Sequence, residues 1–170
     1  MMSSDAEIVE AAGAAALDPR ITALLERVYV AGGFTDAALA IELFAPAAVA
    51  RRGHVLLAVA RPAGVVGMVI CASPDNPYRQ VAAGDEAEMQ LLAVDPGASG
   101  RGLGRALCRA FERKAVALGY RQAVLSTQPA MHAAHRLYVA LGYARNAARD
   151  WARAQRSFLV YEKQLELSAA

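Results

Sequence analysis

The sequence predicts an α/β (α+β) domain with a mixed sheet, and two stretches carry that prediction. Residues 54–60 and 65–72 are apolar runs joined by Arg61-Pro62-Ala63-Gly64, which is typical of a β-hairpin. Residues 89–94 read as a buried strand, 103–118 as a helix and 121–127 as another strand. A strand–helix–strand unit of this kind pairs its strands in parallel through a right-handed crossover. An antiparallel hairpin beside a parallel pair makes the sheet mixed.

The N-terminal third predicts a short strand at residues 6–9 and then two helices. Asp18 and Pro19 begin the first helix, which runs through residue 30. Asp36 caps the second, which runs to about residue 50 and which Pro46 is expected to kink or shorten. We expect three apolar residues of the second helix to face the core: Leu39, Leu43 and Phe44.

The remaining elements after the hairpin are predicted from proline and glycine positions and from apolar periodicity. Residues 73–85 contain Pro74, Pro77 and Gly84 and predict a loop. Residues 129–141 predict a helix that Gly142 closes, residues 143–146 a short strand, and residues 158–165 the last strand. No repeat or linker divides residues 1–170, which we interpret as one domain.

Composition narrows the classes of function. The net charge is +2 and the arginines are scattered, which does not favour nucleic-acid binding. No apolar run approaches membrane-spanning length, and the N-terminus lacks the early basic residues of a secretory signal. Cys71 and Cys108 lie far apart without metal-type spacing, so we expect two reduced thiols and a cytoplasmic protein.

A glycine-rich turn precedes the helix that follows the central strand. Gly100, Gly102 and Gly104 stand at alternate positions, directly before the helical pattern. Such a turn leaves backbone N–H groups unpaired at the positive end of the helix dipole, and the missing Cβ atoms admit a ligand. The turn therefore predicts an anion site, most naturally for phosphate or pyrophosphate, to which Arg101 and Arg105 could add charge.

Two nucleotide-binding patterns fail at specific positions. A P-loop requires Lys and then Ser or Thr after its last glycine, but Arg105 and Ala106 follow Gly104. A dinucleotide fingerprint starting at Gly102 requires Gly or Ala where Leu107 stands. A purely structural turn between strand and helix is the remaining alternative.

Residues 94–107, VDPGASGRGLGRAL, resemble the acetyl-CoA-binding motif of the GNAT superfamily of N-acyltransferases, Arg/Gln-x-x-Gly-x-Gly/Ala. Gly102 and Gly104 match its last two fixed positions, and Ser99 stands at the first. The resemblance implies that backbone amides of the turn hold the pyrophosphate, and that the central strand pairs with the pantetheine arm. The implied cofactor-binding residues are Leu92, Ala93, Val94, Gly100, Arg101, Gly102, Leu103, Gly104 and Arg105.

A second motif lies further along the chain. Residues 133–143, AAHRLYVALGY, resemble the later GNAT motif Ala-x-x-Leu-Tyr-x-x-Leu-Gly-Phe/Tyr, and Met131 stands where the family often has Asn. The resemblance covers residues 52–165 and implies a mostly antiparallel sheet of about six to seven strands, flanked by about four helices. Two motifs at the right distance are more specific than either one alone.

The implied chemistry is direct transfer of an acetyl group from acetyl-CoA to a primary amine. By resemblance, Tyr138 protonates the leaving thiolate and Glu88 acts as the base; a backbone N–H near Ala93 or Val94 polarises the carbonyl. A core aromatic is the alternative for Tyr138, and a solvent-facing carboxylate is the alternative for Glu88. His132 and His135 lie one helical turn apart, but the sequence shows no third metal ligand, so we predict no metal.

The acceptor and the assembly state stay open. Residues 31–36 and 73–85 are expected to shape the acceptor side, which could admit a small-molecule or a peptide amine. A homodimer is compatible with the sequence. The alternatives to an enzyme are a CoA-binding regulatory module without turnover and a nucleotide-binding regulator.

Overall fold

The computed structural model describes residues 6–166 and contains one sheet of eight strands within that range. The strands lie in the order β1-β2-β3-β4-β5-β8-β6, and β7 pairs with the free part of β8. Every pairing is antiparallel except that of β4 with β5. The strand bounds are β1 Glu7–Ala11, β2 Gly53–Ala60, β3 Gly64–Ala72, β4 Glu86–Val94, β5 Gln122–Thr127, β6 Ala144–Arg145, β7 Trp151–Arg153 and β8 Arg156–Gln164.

Five α-helices accompany the sheet within the same residues. The Asp18 side chain accepts a hydrogen bond from the Arg20 amide and caps α1, which continues as a π-helical turn over Glu26–Val30. Asp36 caps α2 in the same way, as the sequence predicts. The helices are α1 Pro19–Leu25, α2 Ala37–Leu43, α3 Pro46–Ala50, α4 Leu103–Ala117 and α5 His132–Ala140. None of them is long and apolar enough to cross a membrane.

The sheet has an apolar layer on each face, because successive strand residues point to opposite sides. On one face, Leu56 and Val69 pack in a cluster with Leu107 and Phe111 of α4. On the other face, Leu57 and Ile70 belong to a cluster built with α1, α2 and α3. Helices therefore lie on both faces, and the predicted class, a mixed and mostly antiparallel α/β sheet, is confirmed.

Pro46 shortens the predicted second helix, as expected, and a separate helix, α3, begins at it, because a proline cannot continue the hydrogen-bond ladder. Two details of the sequence prediction are wrong. Leu39 was expected in the core, but its side chain is 38% exposed. α5 begins at His132, three residues later than predicted. The sheet also has a strand that the sequence did not predict, β7, which forms a hairpin with β8.

The central strands β4 and β5 are paired only at their beginnings. Their register runs from Glu86 opposite Gln122 to Met89 opposite Leu125, and no later residues pair. Leu91, just beyond, has φ +50°, and the β3–β4 register shifts in the same stretch. A β-bulge of this kind bends its strand. The second half of β4 consequently leaves β5 and opens a gap in the middle of the sheet.

Gly67 of β3 is required by a close approach. A Cβ atom there would lie 2.9 Å from Leu107 Cδ1 and 3.2 Å from the Ala93 carbonyl oxygen. The β2–β3 register also shifts beside this glycine, between Ala58 and Val59.

We expect Gly67→Ala to destabilise the fold by about 1–3 kcal/mol, because the methyl group overpacks the junction of β3, β4 and α4. Urea unfolding measures the change. Gly97→Ala is the matched control, since the nearest atom there is Asp95 Oδ1 at 3.4 Å. Equal stability of the two variants would contradict this account of the junction.

Candidate active site

The glycine turn before α4 presents a row of backbone donors. Gly100 and Gly102 have φ of +76° and +77°, and a Cβ atom at either would meet no heavy atom within 4 Å. Gly102 is the N-cap of α4 and has no side chain to bond the first helical amides. Among the described residues, the amides of residues 100–105 donate to no backbone acceptor. The turn therefore combines open space, free N–H groups and a helix N-terminus, which suits a phosphate group.

The gap between β4 and β5 starts after Met89 and extends toward this turn. Leu92 and Val94 are two residues apart, so their backbone polar groups point to the same side of the strand. The Tyr29 hydroxyl donates a hydrogen bond of 2.7 Å to the Leu92 carbonyl oxygen, which marks that side as the open one. A carbonyl oxygen can accept a second hydrogen bond, so this edge can still pair with an extended ligand.

A cavity of about 350 Å³ lies where the two strands separate. Its wall includes Met89 to Leu92 of β4, together with Leu125 and Ser126 of β5. Thr35 and residues 77–80 also line it, so both segments expected to shape the acceptor side reach this cavity. Trp151 and Phe158 of the β7–β8 hairpin stack at 4.1 Å between ring centroids and add an aromatic wall.

Tyr138 reaches the same cavity from α5. It is only 6% exposed, and its ring lies 5.9 Å from those of Tyr143 and Tyr161. Burial raises the pKa of Tyr138 well above its usual value, and the neighbouring Tyr29 adds to the effect. The phenol is therefore held in its protonated form at the wall of the cavity, where it can act as a proton donor.

Comparison with models of protein families shows that the glycine turn and Tyr138 lie within the match to a single family. The model of the acetyltransferase (GNAT) family matches residues 19–143. This chain belongs to the GNAT acetyltransferase family. No curated protein matches it in sequence.

Solved structures share the GNAT fold of this chain at low sequence identity. A phosphinothricin acetyltransferase from Sinorhizobium meliloti, in complex with AcCoA, is 21% identical at a TM-score of 0.66, covering 94% of this chain and 88% of its own. The PaiA N-acetyltransferase from Thermoplasma acidophilum, in complex with coenzyme A, is 13% identical at a TM-score of 0.70. The match covers 94% of this chain and 99% of that one. An acetyltransferase of the GNAT family from Staphylococcus aureus is 12% identical at a TM-score of 0.73. The match covers 95% of this chain and 99% of that one.

Two residues depart from the GNAT motifs, and their contacts are local. The Ser99 hydroxyl donates to the Asp95 carbonyl oxygen at 3.4 Å, within its own turn. Met131 lies at the N-terminus of α5, where its sulfur accepts a hydrogen bond of 3.6 Å from the Thr127 hydroxyl. Neither side chain hydrogen-bonds to an amide of the glycine turn. The side chains of Arg101 and Arg105 are exposed next to those amides.

Glu88 lies below the cavity wall rather than on it. Its side chain is 2% exposed, and its carboxylate accepts hydrogen bonds of 2.9–3.1 Å from the backbone amides of Gln80, Val81 and Ala82. Gln90 Nε2 donates a further bond of 2.9 Å to the same carboxylate. The role of base stays a prediction from the family motif. The contacts favour a different role, in which Glu88 holds the loop of residues 73–85 against β4.

Gln90 connects this hydrogen-bond network to Arg52. Gln90 Oε1 accepts a bond of 3.0 Å from Arg52 Nη1, and Gln90 Nε2 donates to the Tyr78 carbonyl oxygen at 2.8 Å. The Arg52 guanidinium lies over the Tyr78 ring, 4.3 Å from its centroid. Arg52 is 4% exposed, and its Nε has no partner among the described residues. A buried donor without a partner costs about 1–3 kcal/mol, so Arg52 is held in place at a cost.

The thiols and the histidine pair lie outside this arrangement. Burial raises the pKa of both Cys71 and Cys108 to about 12, which keeps them protonated and poor nucleophiles. His135 Nε2 lies 3.0 Å from the Gln128 carbonyl oxygen, and the His132 and His135 rings are 5.9 Å apart. No group of three or more potential metal ligands occurs in the described part of the chain.

Sequence reasoning missed Tyr29, Arg52, Gln90 and the β7–β8 hairpin. Tyr29 lies within the predicted first helix, and only its contact with Leu92 shows its place in the site. Arg52 precedes a strand and carries no motif. Ala154 and Gln155 turn the hairpin at φ +48° and +64°, where the turn type favours Asn and Gly.

We expect Glu88→Gln to loosen the 73–85 loop, because the amide group cannot accept three backbone N–H bonds as the carboxylate does. Hydrogen exchange at the amides of residues 80–82 should accelerate, with stability lower by about 1–3 kcal/mol. Asp85→Asn, an exposed carboxylate in the same loop, is the control. Unchanged exchange at residues 80–82 would contradict the anchoring role.

Proposed function

We propose that this protein is an acetyl-CoA-dependent N-acetyltransferase that transfers the acetyl group directly to a primary amine. The observation that carries the proposal is the continuity of three features. The free amides of residues 100–105 lead to the open edge of β4, and that edge leads to the cavity beside Tyr138.

The turn and the strand edge bind the acyl donor. The amides of the glycine turn hold the pyrophosphate, and Arg101 and Arg105 add positive charge beside it. Leu92, Ala93 and Val94 pair with the pantetheine arm along the gap, as an added strand would. A backbone N–H of Ala93 or Val94 polarises the thioester carbonyl. This path brings the acetyl group to the cavity.

Tyr138 completes the transfer. The neutral amine attacks the thioester carbonyl, and the tetrahedral adduct expels the thiolate as the C–S bond breaks. Tyr138 gives its proton to that sulfur, and its phenolate then takes the surplus proton from the acetylated nitrogen. The sum is an amide and a free thiol, with no acyl-enzyme and no net change in Tyr138.

Glu88 serves this reaction through the loop rather than as the base. Its carboxylate already accepts bonds from three backbone amides and Gln90, which leaves it poorly placed to receive a proton from the acceptor. If it acts as an anchor, Glu88→Gln lowers kcat without moving the pH–rate profile, whereas loss of a base removes the acidic limb.

Location and assembly are part of the proposal. Two buried free thiols suit a reducing compartment, so we place the enzyme in the cytoplasm. The site is built from one chain, so a homodimer would not be required for catalysis.

We expect Tyr138→Phe to lower kcat for acetyl transfer by well over tenfold while the Kd for CoA stays within about twofold, because only the proton donor is lost. Thiol release from acetyl-CoA with a panel of amines measures kcat, and calorimetry measures Kd. Tyr161→Phe removes the same hydroxyl from a neighbouring buried ring and is the matched control.

The panel also separates the alternatives. A CoA-binding module would bind CoA tightly and release no thiol with any amine. A nucleotide-binding regulator would gain thermal stability from ATP and none from CoA. Either result would refute the proposed function.

A further inference from the structure

We propose that the acceptor amine also carries an anionic group, a carboxylate or a phosphate, and that Arg52 binds that group at the wall of the cavity. The inference rests on the proposed function, because it names the class of acceptor for the same site.

All ionisable side chains with a full charge on the cavity wall are arginines. Arg52, Arg79, Arg153 and Arg156 line the cavity, and no aspartate or glutamate does. Within residues 6–166, none of these four guanidinium groups lies within 4.0 Å of a carboxylate oxygen. A cavity with this lining attracts an anion and repels a dication such as a polyamine.

Arg52 is the arginine best fixed for recognition. Gln90 Oε1, the Leu43 carbonyl oxygen and the Tyr78 ring hold its guanidinium from three sides. The Glu88 carboxylate is the nearest negative charge in this network, but Gln90 lies between it and the Arg52 guanidinium. A buried cation without a paired anion is unfavourable, and a carboxylate or phosphate bound at the cavity wall would supply the missing counter-charge.

The donor's pyrophosphate is not that partner. Arg52 contacts Gln90, which lies four residues before Val94 on β4, or about 13 Å at 3.3 Å per residue. The glycine turn comes after Val94, further still along the chain. The two anion sites therefore lie at opposite ends of the gap, one for the donor and one for the acceptor.

The rest of the cavity suits a small amphipathic acceptor. Its volume of about 350 Å³ is near the lower end of small-molecule sites. Trp151 and Phe158 provide an apolar part of the wall. The arginines also disfavour the ammonium form of a bound amine, so the acceptor is more readily neutral when it attacks.

The test compares pairs of amines that differ only in the anionic group. Phenylalanine is paired with phenethylamine, leucine with isoamylamine, and phosphoethanolamine with ethanolamine. We expect kcat/KM for at least one amine with an anionic group to exceed that of its partner without the group by tenfold or more. The amino acid pairs report on carboxylate and the last pair on phosphate.

Arg52→Met should reduce this preference to less than threefold through KM, with little change in the KM for acetyl-CoA. Arg51→Met removes the exposed neighbouring arginine and is the matched control. Arg52→Lys keeps the charge but loses the planar fork, and should retain part of the preference. If Arg52→Met does not fold, the wild-type preference and Arg52→Lys decide the question.

A binding measurement keeps this inference separate from the proposed function. N-acetylphenylalanine should raise the Tm of the wild-type protein more than N-acetylphenethylamine does, and Arg52→Met should abolish the difference. Acetylation of both members of every pair at equal kcat/KM would overturn the inference and leave the acetyltransferase intact. Absence of thiol release with every amine would refute the proposed function, and the Tm comparison would still decide the role of Arg52.

Discussion

The separation of β4 from β5 is the constraint on which the site depends. The two strands pair through Met89 and Leu125 and no further, and the bulge at Leu91 turns the rest of β4 away. An interrupted pairing in the middle of a sheet leaves backbone donors and acceptors that need other partners. Tyr29 satisfies one of them at the Leu92 carbonyl oxygen. The others face a gap that can take an extended ligand in place of a strand.

A second consequence of the same separation is the cavity. Where β4 leaves β5, the space between them is lined by Tyr138 and Leu125 and by residues 77–80 of the 73–85 loop. That loop has no regular structure of its own. It is held by buried hydrogen bonds, because the Glu88 carboxylate accepts bonds from three of its backbone amides and Gln90 donates one to the Tyr78 carbonyl oxygen. The polar side chains of β4 thus position this wall of the cavity.

The sequence predicts those parts of the protein that depend on local chemistry. Glycines at positions 100, 102 and 104 before an amphipathic pattern indicate an anion-binding turn, whatever surrounds them. The hairpin of β2 and β3 and the caps at Asp18 and Asp36 are local in the same sense. The motif around Tyr138 identifies the family, and the structure places that side chain on the cavity wall.

The parts that the sequence does not predict depend on contacts between distant residues. Glu88 reads as a strand-end carboxylate, and only the loop folded over it shows that its oxygens are engaged. Arg52 meets Gln90 and Tyr78 across 38 and 26 positions of the chain. The β7–β8 hairpin turns on Ala154 and Gln155, which lack the usual turn signal, so neither its strand nor its aromatic wall could be foreseen.

The central claim is that free amides of the glycine turn and the open edge of β4 bind the donor together. The most direct measurement is a titration of the ¹⁵N-labelled protein with CoA, followed through its backbone amide resonances. The account predicts that the largest shifts fall on residues 100–105 and on Leu92 to Val94, with little change in β1 or α3. Binding of CoA that leaves the amides of residues 100–105 unshifted would contradict it.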